Sequence, residues 1–461
     1  MDFALISLIL LIMLVVVGLT YLTFHLWMSR ASLNYSVPKG YLKETPIIAF
    51  HIPVKNEHPS LLERLLSSIA RLKYPKDRIK VVVVCDDKDP KPMMDVCERA
   101  KEKLDVVFIH RDKARGFKAG ALNEALKVES DLIVVLDVDS IVPPDFLIKA
   151  LPSFYEADNV AAVSIRWEAI NVKESLLSEA YSFGQNFFMR GLFRGFQARF
   201  GSFMLLGSGC LVKRKALMEV GGWDEKCVAE DLELGIRLRL RGYRVVYNDS
   251  AFIWLEAPSR YSDFKAQQRR WSCGISQLLS KHFKHILTSK LKASEKLSLL
   301  IYLTQYWGLA FIGVSMLLLP LLVLLNGEPP LLPLLILIIP AISISAMAVY
   351  GYELMKYKLS ENSLLRNIKV LGRAAALTAA MSLDSLIYSL RPLVGMKCSW
   401  KVTPKGPLKK LSRGTFKLEL GLTALLLITL VVSVMKSFIV LTAWTAIYLV
   451  ALVYVLVKRF E

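Results

Sequence analysis

Two carboxylates one residue apart, Asp137 and Asp139, close the apolar run Val134-Val135-Leu136. A run of β-branched and aliphatic residues reads as a buried parallel strand. Ligands of open α/β sheets sit beyond the carboxyl ends of the strands, so both side chains are aimed at a site. Two neighbouring carboxylates in a site call for a cation between them. Oxygen ligands of this kind suit Mg²⁺ or Mn²⁺ bridging to phosphate. By itself the pair also describes a solvated turn at a strand end. A second pair, Glu230-Asp231, stands where a helix begins. Carboxylates are favoured in a first helical turn, and that position lowers a carboxyl pKa.

The elements that must carry these residues alternate. Strands are expected at 46–51, 79–85, 106–110 and 132–136, with helices at 61–72, 93–103 and 119–128 between them. Further strands are expected at 160–166 and 244–247, and a basic helix at 232–241. This β-α-β-α order predicts a mostly parallel sheet covered on both faces.

The whole chain is too apolar for a water-soluble enzyme of this kind alone. It has 461 residues, of which 54% are hydrophobic, and a mean hydropathy of +0.42. The net charge of +19 has no basic–aromatic nucleic-acid motif to go with it. Excess Lys and Arg instead gather in cytoplasmic loops beside membrane spans. Six cysteines (Cys85, Cys97, Cys210, Cys227, Cys273, Cys398) show no C-x-x-C pair and read as free thiols on the cytoplasmic side.

Apolar stretches at 3–27, 297–325, 331–350, 418–435 and 438–457 are long enough to span a bilayer. The first lacks a signal peptide's charged start and cleavage site and is expected to be retained. Arg30, Lys39 and Lys43 follow it, which puts the next domain in the cytoplasm and the N-terminus outside. The segment 371–390 has basic flanks on both sides and reads as an interfacial helix. The expected organisation is a transmembrane helix at 1–30 and a cytoplasmic domain at 31–259. Amphipathic interfacial helices follow at 260–296 and two spans at 297–350. A cytoplasmic or interfacial segment covers 351–417, and a transmembrane hairpin 418–461.

The remaining motifs are Pro53-Val54-Lys55-Asn56-Glu57, Cys85-Asp86-Asp87, Gly116-Phe117-Lys118-Ala119-Gly120-Ala121-Leu122-Asn123, Gly207-Ser208-Gly209, Gly221-Gly222-Trp223, Gln267-Gln268-Arg269-Arg270-Trp271 and Trp400-Lys401-Val402-Thr403-Pro404-Lys405-Gly406. Asp-x-Asp, Glu-Asp and Gln-x-x-Arg-Trp, in that order and between membrane segments, resemble the membrane-integrated processive synthases of glycosyltransferase family 2. That group includes the cellulose, chitin and hyaluronan synthases. The resemblance covers most of 45–275 and returns at 400–406. It implies an α/β GT-A (Rossmann-like, mostly parallel sheet) catalytic domain, inserted between transmembrane helices and inverting the anomeric centre.

By this resemblance Asp137 contacts the donor and Asp139 ligates Mg²⁺ or Mn²⁺. Asp231 is the general base, beside Glu230, although Ala229 stands where the family often has Thr. Pro53, Asn56, Glu57, Asp86 and Asp87 line the nucleotide site, and Lys118 and Arg270 face the diphosphate. Gly207, Ser208, Gly209, Gln267 and Trp271 form the acceptor side. Thr403 and Lys405 belong to a gating-like loop that closes over nucleotide, with Trp400 where relatives often have Phe. Lys55 stands where many relatives have a Tyr stacked on uracil, so a UDP-sugar is favoured on weaker ground than the fold. The implied function is hexosyl transfer from a nucleotide sugar to a growing polysaccharide at the cell membrane. The alternative is transfer of one sugar to a membrane lipid, because ceramide-type glucosyltransferases also carry Gln-x-x-Arg-Trp. A catalytically dead binding protein is disfavoured, since Asp137, Asp139 and Asp231 are all present. A homo-oligomer is compatible with the translocation reading.

Overall fold

The computed structural model describes residues 3–41, 44–328, 364–398, 405–411 and 416–458. The expected span at 331–350 lies outside the described residues, as do Trp400 and Thr403.

Seven strands form one sheet: β1 (Ile48–Val54), β2 (Ile79–Cys85), β3 (Asp105–His110), β4 (Leu132–Val135), β5 (Val160–Ala169), β6 (Leu211–Lys213) and β7 (Arg244–Leu255). Their spatial order is β3-β2-β1-β4-β6-β5-β7. The pairs β1–β2, β1–β4, β2–β3 and β5–β7 are parallel. The short β6 runs antiparallel to both β4 and β5. β4 is buried on both faces, which is why it reads as an unbroken apolar run. Leu132 and Val134 join one core cluster with Ile52, Leu65 and Phe146. Ile133 and Val135 join another with Ala119, Leu217 and Trp223. This is the two-residue alternation of a strand.

Helices α2 (Pro59–Ala70), α3 (Lys91–Ala100), α4 (Phe117–Ala125) and α5 (Phe146–Ala150) connect the first strands; α1 is Phe3–Ser32. Next come α6 (Leu176–Phe187), α7 (Arg194–Phe200), α8 (Arg214–Glu219), α9 (Glu230–Leu240) and α10 (Tyr261–Thr288). The last helices are α11 (Ala293–Leu303), α12 (Gln305–Leu324), α13 (Leu364–Ala380), α14 (Ser382–Leu390), α15 (Lys417–Met435) and α16 (Ile439–Lys458).

The sequence reading is corrected in several places. No element was expected over 170–206, yet the chain there forms α6, a π-helical turn at Phe188–Phe193, and α7. Phe183, Phe187, Phe188, Phe193 and Phe196 place apolar residues on several sides of this stretch, so no single stripe marks it. Strand β6 is too short to carry a pattern, and β7 runs eight residues beyond the expected 244–247. The apolar stretch 297–325 is two helices that break at Thr304.

Among the described residues α1, α12, α15 and α16 are long and apolar enough to cross a membrane. The pair Leu365–Ala380 and Ser382–Val394 is bent by 44° and would make a fifth span if counted as one. The interfacial helix expected at 371–390 falls within this bent pair.

Helix α1 packs against α7 and α12 through glycines of those two helices. A Cβ on Gly195 of α7 would lie 2.3 Å from the Met28 carbonyl oxygen, and one on Gly308 of α12 would lie 2.6 Å from the Tyr21 ring. Small residues at such crossings let helices approach closely. Gly195→Val therefore separates α1 from α7 and destabilises the protein by about 2 kcal/mol or more, within the range for forced overpacking. Thermal unfolding of the detergent-solubilised protein should show a lowered Tm, and an unchanged Tm would contradict this packing.

Candidate active site

Strand β1 lies between β2 and β4, so the carboxyl ends of these three parallel strands stand side by side. They deliver Pro53 to Glu57, Asp86 with Asp87, and Asp137 with Asp139 to one edge, the usual ligand position for such a sheet. Because β6 runs antiparallel to β4, its start lies beside the end of β4. Gly209 N donates to the Val135 carbonyl at 2.7 Å, which brings Gly207 and Ser208 to Asp137. The Ser208 hydroxyl accepts from Asp137 N at 3.0 Å and pairs with Ser140 Oγ at 2.8 Å. Ser208 thus braces the Asp-x-Asp turn. Gly209 has φ of +79°, and a Cβ there would strike Ile165, so this glycine is required by the backbone.

Helix α9 starts at Glu230, with Asp231 in its first turn. Gly207 makes room for that carboxylate: a Cβ there would lie 2.9 Å from Asp231 Oδ2. Lys118, on α4, bridges the two acidic motifs. Its ammonium is 2.6 Å from Asp137 Oδ1 and 3.6 Å from Glu230 Oε1. Lys405 closes the other side, 2.5 Å from Asp139 Oδ1. The next residue, Gly406, donates its N–H to Glu256 Oε2 at 3.0 Å, and Glu256 N donates to Asp139 Oδ2 at 3.2 Å.

The electrostatics follow from burial and neighbours. Burial pulls the Asp137 carboxyl up, but Lys118 and Lys405 outweigh it and bring its pKa to about 2. Burial pushes Glu230 up to about 7 despite Lys118, with Asp231 adding to the rise. Asp231 is raised as well, again chiefly by burial. This corrects the lowered value expected from its place at a helix start: desolvation and the acidic neighbours outweigh the helix terminus. Burial also lifts Glu57 to about 8, against the pull of Lys405. Its Oε2 is buried with no hydrogen-bond partner among the described residues.

One cavity of about 910 Å³ joins these groups, lined by Pro53, Glu57, Asp86, Lys118, Asp137, Asp139, Glu230, Asp231 and Lys405. Gly207, Ser208, Gln267, Arg270 and Trp271 also line it, while Asn56, Asp87 and Gly209 do not. Asp87 instead accepts a hydrogen bond from Asn56 N. Asp86 is gripped by the Arg111 guanidinium through two bonds of 2.5 and 2.6 Å. Arg111 and Glu256 escaped the sequence reading; so did Glu233, whose carboxylate ties α9 to Lys281 and His282 of α10 at 2.6 and 3.1 Å. Helix α10, expected as an interfacial helix, packs between α9 and the apolar helices α14 and α15, where Lys265 pairs with Asp384 at 3.2 Å and Glu419 at 2.5 Å.

The cysteine reading is also corrected. Cys273 and Cys398 form a disulfide, while Cys85, Cys97, Cys210 and Cys227 are free and buried. The bonded pair is separated by 125 residues, so no local spacing marks it. Cys273 is two residues beyond Trp271, so the bond ties Cys398 to the helix that carries Gln267, Arg270 and Trp271.

Residues 132–350 match the family described as Glycosyl transferase family group 2. A probable glycosyltransferase from Sulfolobus acidocaldarius is 30% identical over 374 residues, which cover 80% of this chain and 79% of that relative. The chain belongs to this glycosyltransferase family. A probable glucomannan 4-beta-mannosyltransferase from Oryza sativa subsp. japonica is 30% identical over 253 residues, 53% of the chain and 48% of that enzyme. The match thus spans about half the length of the plant relative. The solved mannosyltransferase PcManGT from Pyrobaculum calidifontis, in complex with GDP-Man and Mn²⁺, has a TM-score of 0.53 at 19% identity. It covers 84% of this chain and 97% of its own, so the fold is GT-A. The protein is a hexosyltransferase that takes its sugar from a nucleotide donor.

A divalent cation, such as the Mn²⁺ bound by the Pyrobaculum enzyme, fits the residues present. Among the described residues no cluster of three or more His, Cys, Asp or Glu is placed to hold a metal alone. Asp137 and Asp139 are oxygen donors at one strand end, and Asp139 already faces a cationic group. A pair of carboxylates completed by substrate phosphate is how Mg²⁺ is usually held. Glu57 Oε2, buried and without a hydrogen-bond partner among the described residues, adds a further reason for positive charge here. Lys405 competes for the same carboxylate. Lys405→Ala should therefore tighten Mn²⁺ binding to nucleotide-free protein by on the order of tenfold, one pKa unit's worth of interaction. Titration followed by the EPR signal of free Mn²⁺ measures this, and weaker binding would argue against competition at Asp139.

Proposed function

We propose that the protein is a metal-assisted, inverting hexosyltransferase that works at the cytoplasmic face of a cell membrane it crosses several times. The observation that carries this reading is the placement of Asp231. Its carboxylate lines the same cavity as Asp137 and Asp139, over Gly207 and across from Lys118.

The roles follow from the chemistry. Asp231 accepts the proton of the acceptor hydroxyl as that oxygen attacks the anomeric carbon. The bond from that carbon to the diphosphate oxygen breaks, and its electron pair leaves with the nucleoside diphosphate. A single displacement inverts the anomeric centre and requires only one positioned base. Lys118, Arg270 and Lys405 offer positive charge where negative charge develops. A divalent ion held by Asp139 and Asp137 would supply Lewis-acid stabilisation of the departing diphosphate. Glu230 is the more buried of the acidic pair, and its contact with Lys118 makes it a positioning residue. Trp271 and Gln267 meet the acceptor, whose sugar ring stacks its C–H face on the indole.

The resemblance favours a UDP-sugar, and the Pyrobaculum relative binds GDP-Man. Both donors belong in the assay, with Lys55 beside the base pocket as the residue that departs from the family pattern. The resemblance makes a growing polysaccharide the acceptor, whereas the apolar far end of the cavity favours a lipid.

Asp231→Asn should lower kcat by about 10²- to 10⁴-fold, the usual worth of a general base. Nucleotide affinity should stay within a few-fold. Steady-state kinetics with calorimetric binding separates the two, and a product retaining the donor's anomeric configuration by NMR would refute the single displacement.

The pH profile has a defined sign. A base with a raised pKa loses its active form as pH falls through that pKa. Therefore kcat/KM should drop on the acid side with an apparent pKa that belongs to the Glu230–Asp231 pair and lies above the ordinary carboxylate range. Glu230→Gln frees Lys118 to stabilise ionised Asp231, and the acid limb should move to lower pH. A limb that stays in place in that variant would rule out the pairing.

A further inference from the structure

The cavity does not end at the acidic motifs. It continues between the membrane helices along one stripe of α1: Leu14, Val17, Gly18, Tyr21, Leu22 and His25. These positions recur every three or four residues, so they share one face, and they span about 16 Å of helix axis. Leu309 and Ile312 of α12 form a second wall, and Leu371, Ala374 and Leu377 of α13 a third. Two glycines mark the space itself. Gly18 on α1 and Gly184 on α6 both line the cavity, and a Cβ added to either meets nothing within 4 Å.

Three of the limb's polar groups are already engaged. Tyr21 donates to the Thr304 carbonyl at 2.6 Å, Tyr306 to Gln268 Oε1 at 2.8 Å, and Thr378 to the Ala374 carbonyl at 2.8 Å. A polysaccharide threaded here would bury hydroxyls against aliphatic walls, which is costly when no partner answers them. A hydrocarbon chain has no such requirement. The middle of the cavity differs: Trp271, Gln267 and Gln305 offer an aromatic face and neutral amides, a surface suited to a sugar. An acceptor phosphate is already ionised, and its oxygen needs no base to act as nucleophile. A general base there calls for a neutral hydroxyl.

We infer that the acceptor is a neutral-headed glycolipid, its sugar hydroxyl at Asp231 and its hydrocarbon chain in the apolar limb between α1, α12 and α13. This rests on the transfer reaction proposed above and names its acceptor class.

The test uses the full chain in detergent or nanodiscs, with UDP- and GDP-hexoses as donors and alkyl mannosides and glucosides of increasing chain length as acceptors. Hydrolysis of donor without acceptor checks that each variant is folded. For the wild-type protein kcat/KM should rise on the order of threefold per added methylene while the chain still fits the limb. Gly18→Phe and Gly184→Leu place side chains into the open limb from two different walls, and a larger residue in place of a helical glycine favours the helix. Both should flatten the chain-length dependence and lower kcat/KM for the longest acceptor by tenfold or more. Leu19→Phe, on the outward face of α1, should keep the wild-type dependence. Because all forms share the same bilayer, partitioning cancels in the comparison. An unaltered dependence in both glycine variants would overturn the inference. Label accumulating in an organic-insoluble polymer would overturn it too, while leaving base-assisted sugar transfer intact. No nucleotide released from any donor would instead bring down the transfer reaction, and the acceptor assignment with it.

Discussion

Two ammonium groups hold a crowd of buried and half-buried carboxylates together. Lys118 stands between Asp137 and Glu230, and Lys405 stands against Asp139. Without them the ends of β1 and β4 and the start of α9 would each bring negative charge into one poorly solvated space, where like charges disfavour ionisation. The backbone accepts unusual conformations to keep Lys118 there. Gly116 and Phe117, which open α4, have φ of +67° and +51°. A Cβ on Gly116 would also strike Glu225.

The parts of the site carried by contiguous residues were legible in the sequence. Val134 to Asp139 announces a buried strand ending in two acids because burial on both faces leaves an unbroken apolar run. Glu230-Asp231 and Gln267 to Trp271 are likewise local, and the structure brings all three motifs to one cavity. What remained hidden depends on pairings across the chain. Arg111 meets Asp86 only once β2 and β3 are aligned. Glu256 meets Gly406 across 150 residues, and the disulfide joins residues 125 apart. The raised pKa of Asp231 was missed for a related reason: a helix start is visible in sequence, while the depth of its burial is a property of the fold. The stretch from α6 to α7 was invisible because its phenylalanines are spread over several sides, leaving no solvent face to set a period.

Helix α10 ties the apolar helices α14 and α15 to the candidate active site. At one end of its reach Lys265 and Arg269 meet Asp384 of α14, and Lys265 also meets Glu419 of α15. Further along, Lys281 and His282 hold Glu233, two residues beyond Asp231. Gly274 lets the same helix approach Ala229, where an added Cβ would sit 3.0 Å from the Ala229 Cβ. Buried ion pairs of this kind contribute little net stability, but removing one partner is costly, so they fix geometry. Gln267, Arg270 and Trp271 lie on the span between the two anchors.

The contact between α1 and Gly195 has a consequence for how the molecule is made. Helix α1 leaves the ribosome before every element it packs against, and N-terminal segments of a chain are the first able to fold. Its partners α7 and α12 follow only after most of the sheet has been translated. Until then no wall stands opposite the stripe from Leu14 to His25. The cavity therefore cannot exist during most of synthesis. The carboxylates at the sheet edge are translated before the walls supplied by α12 and α13, and Lys405 arrives after both.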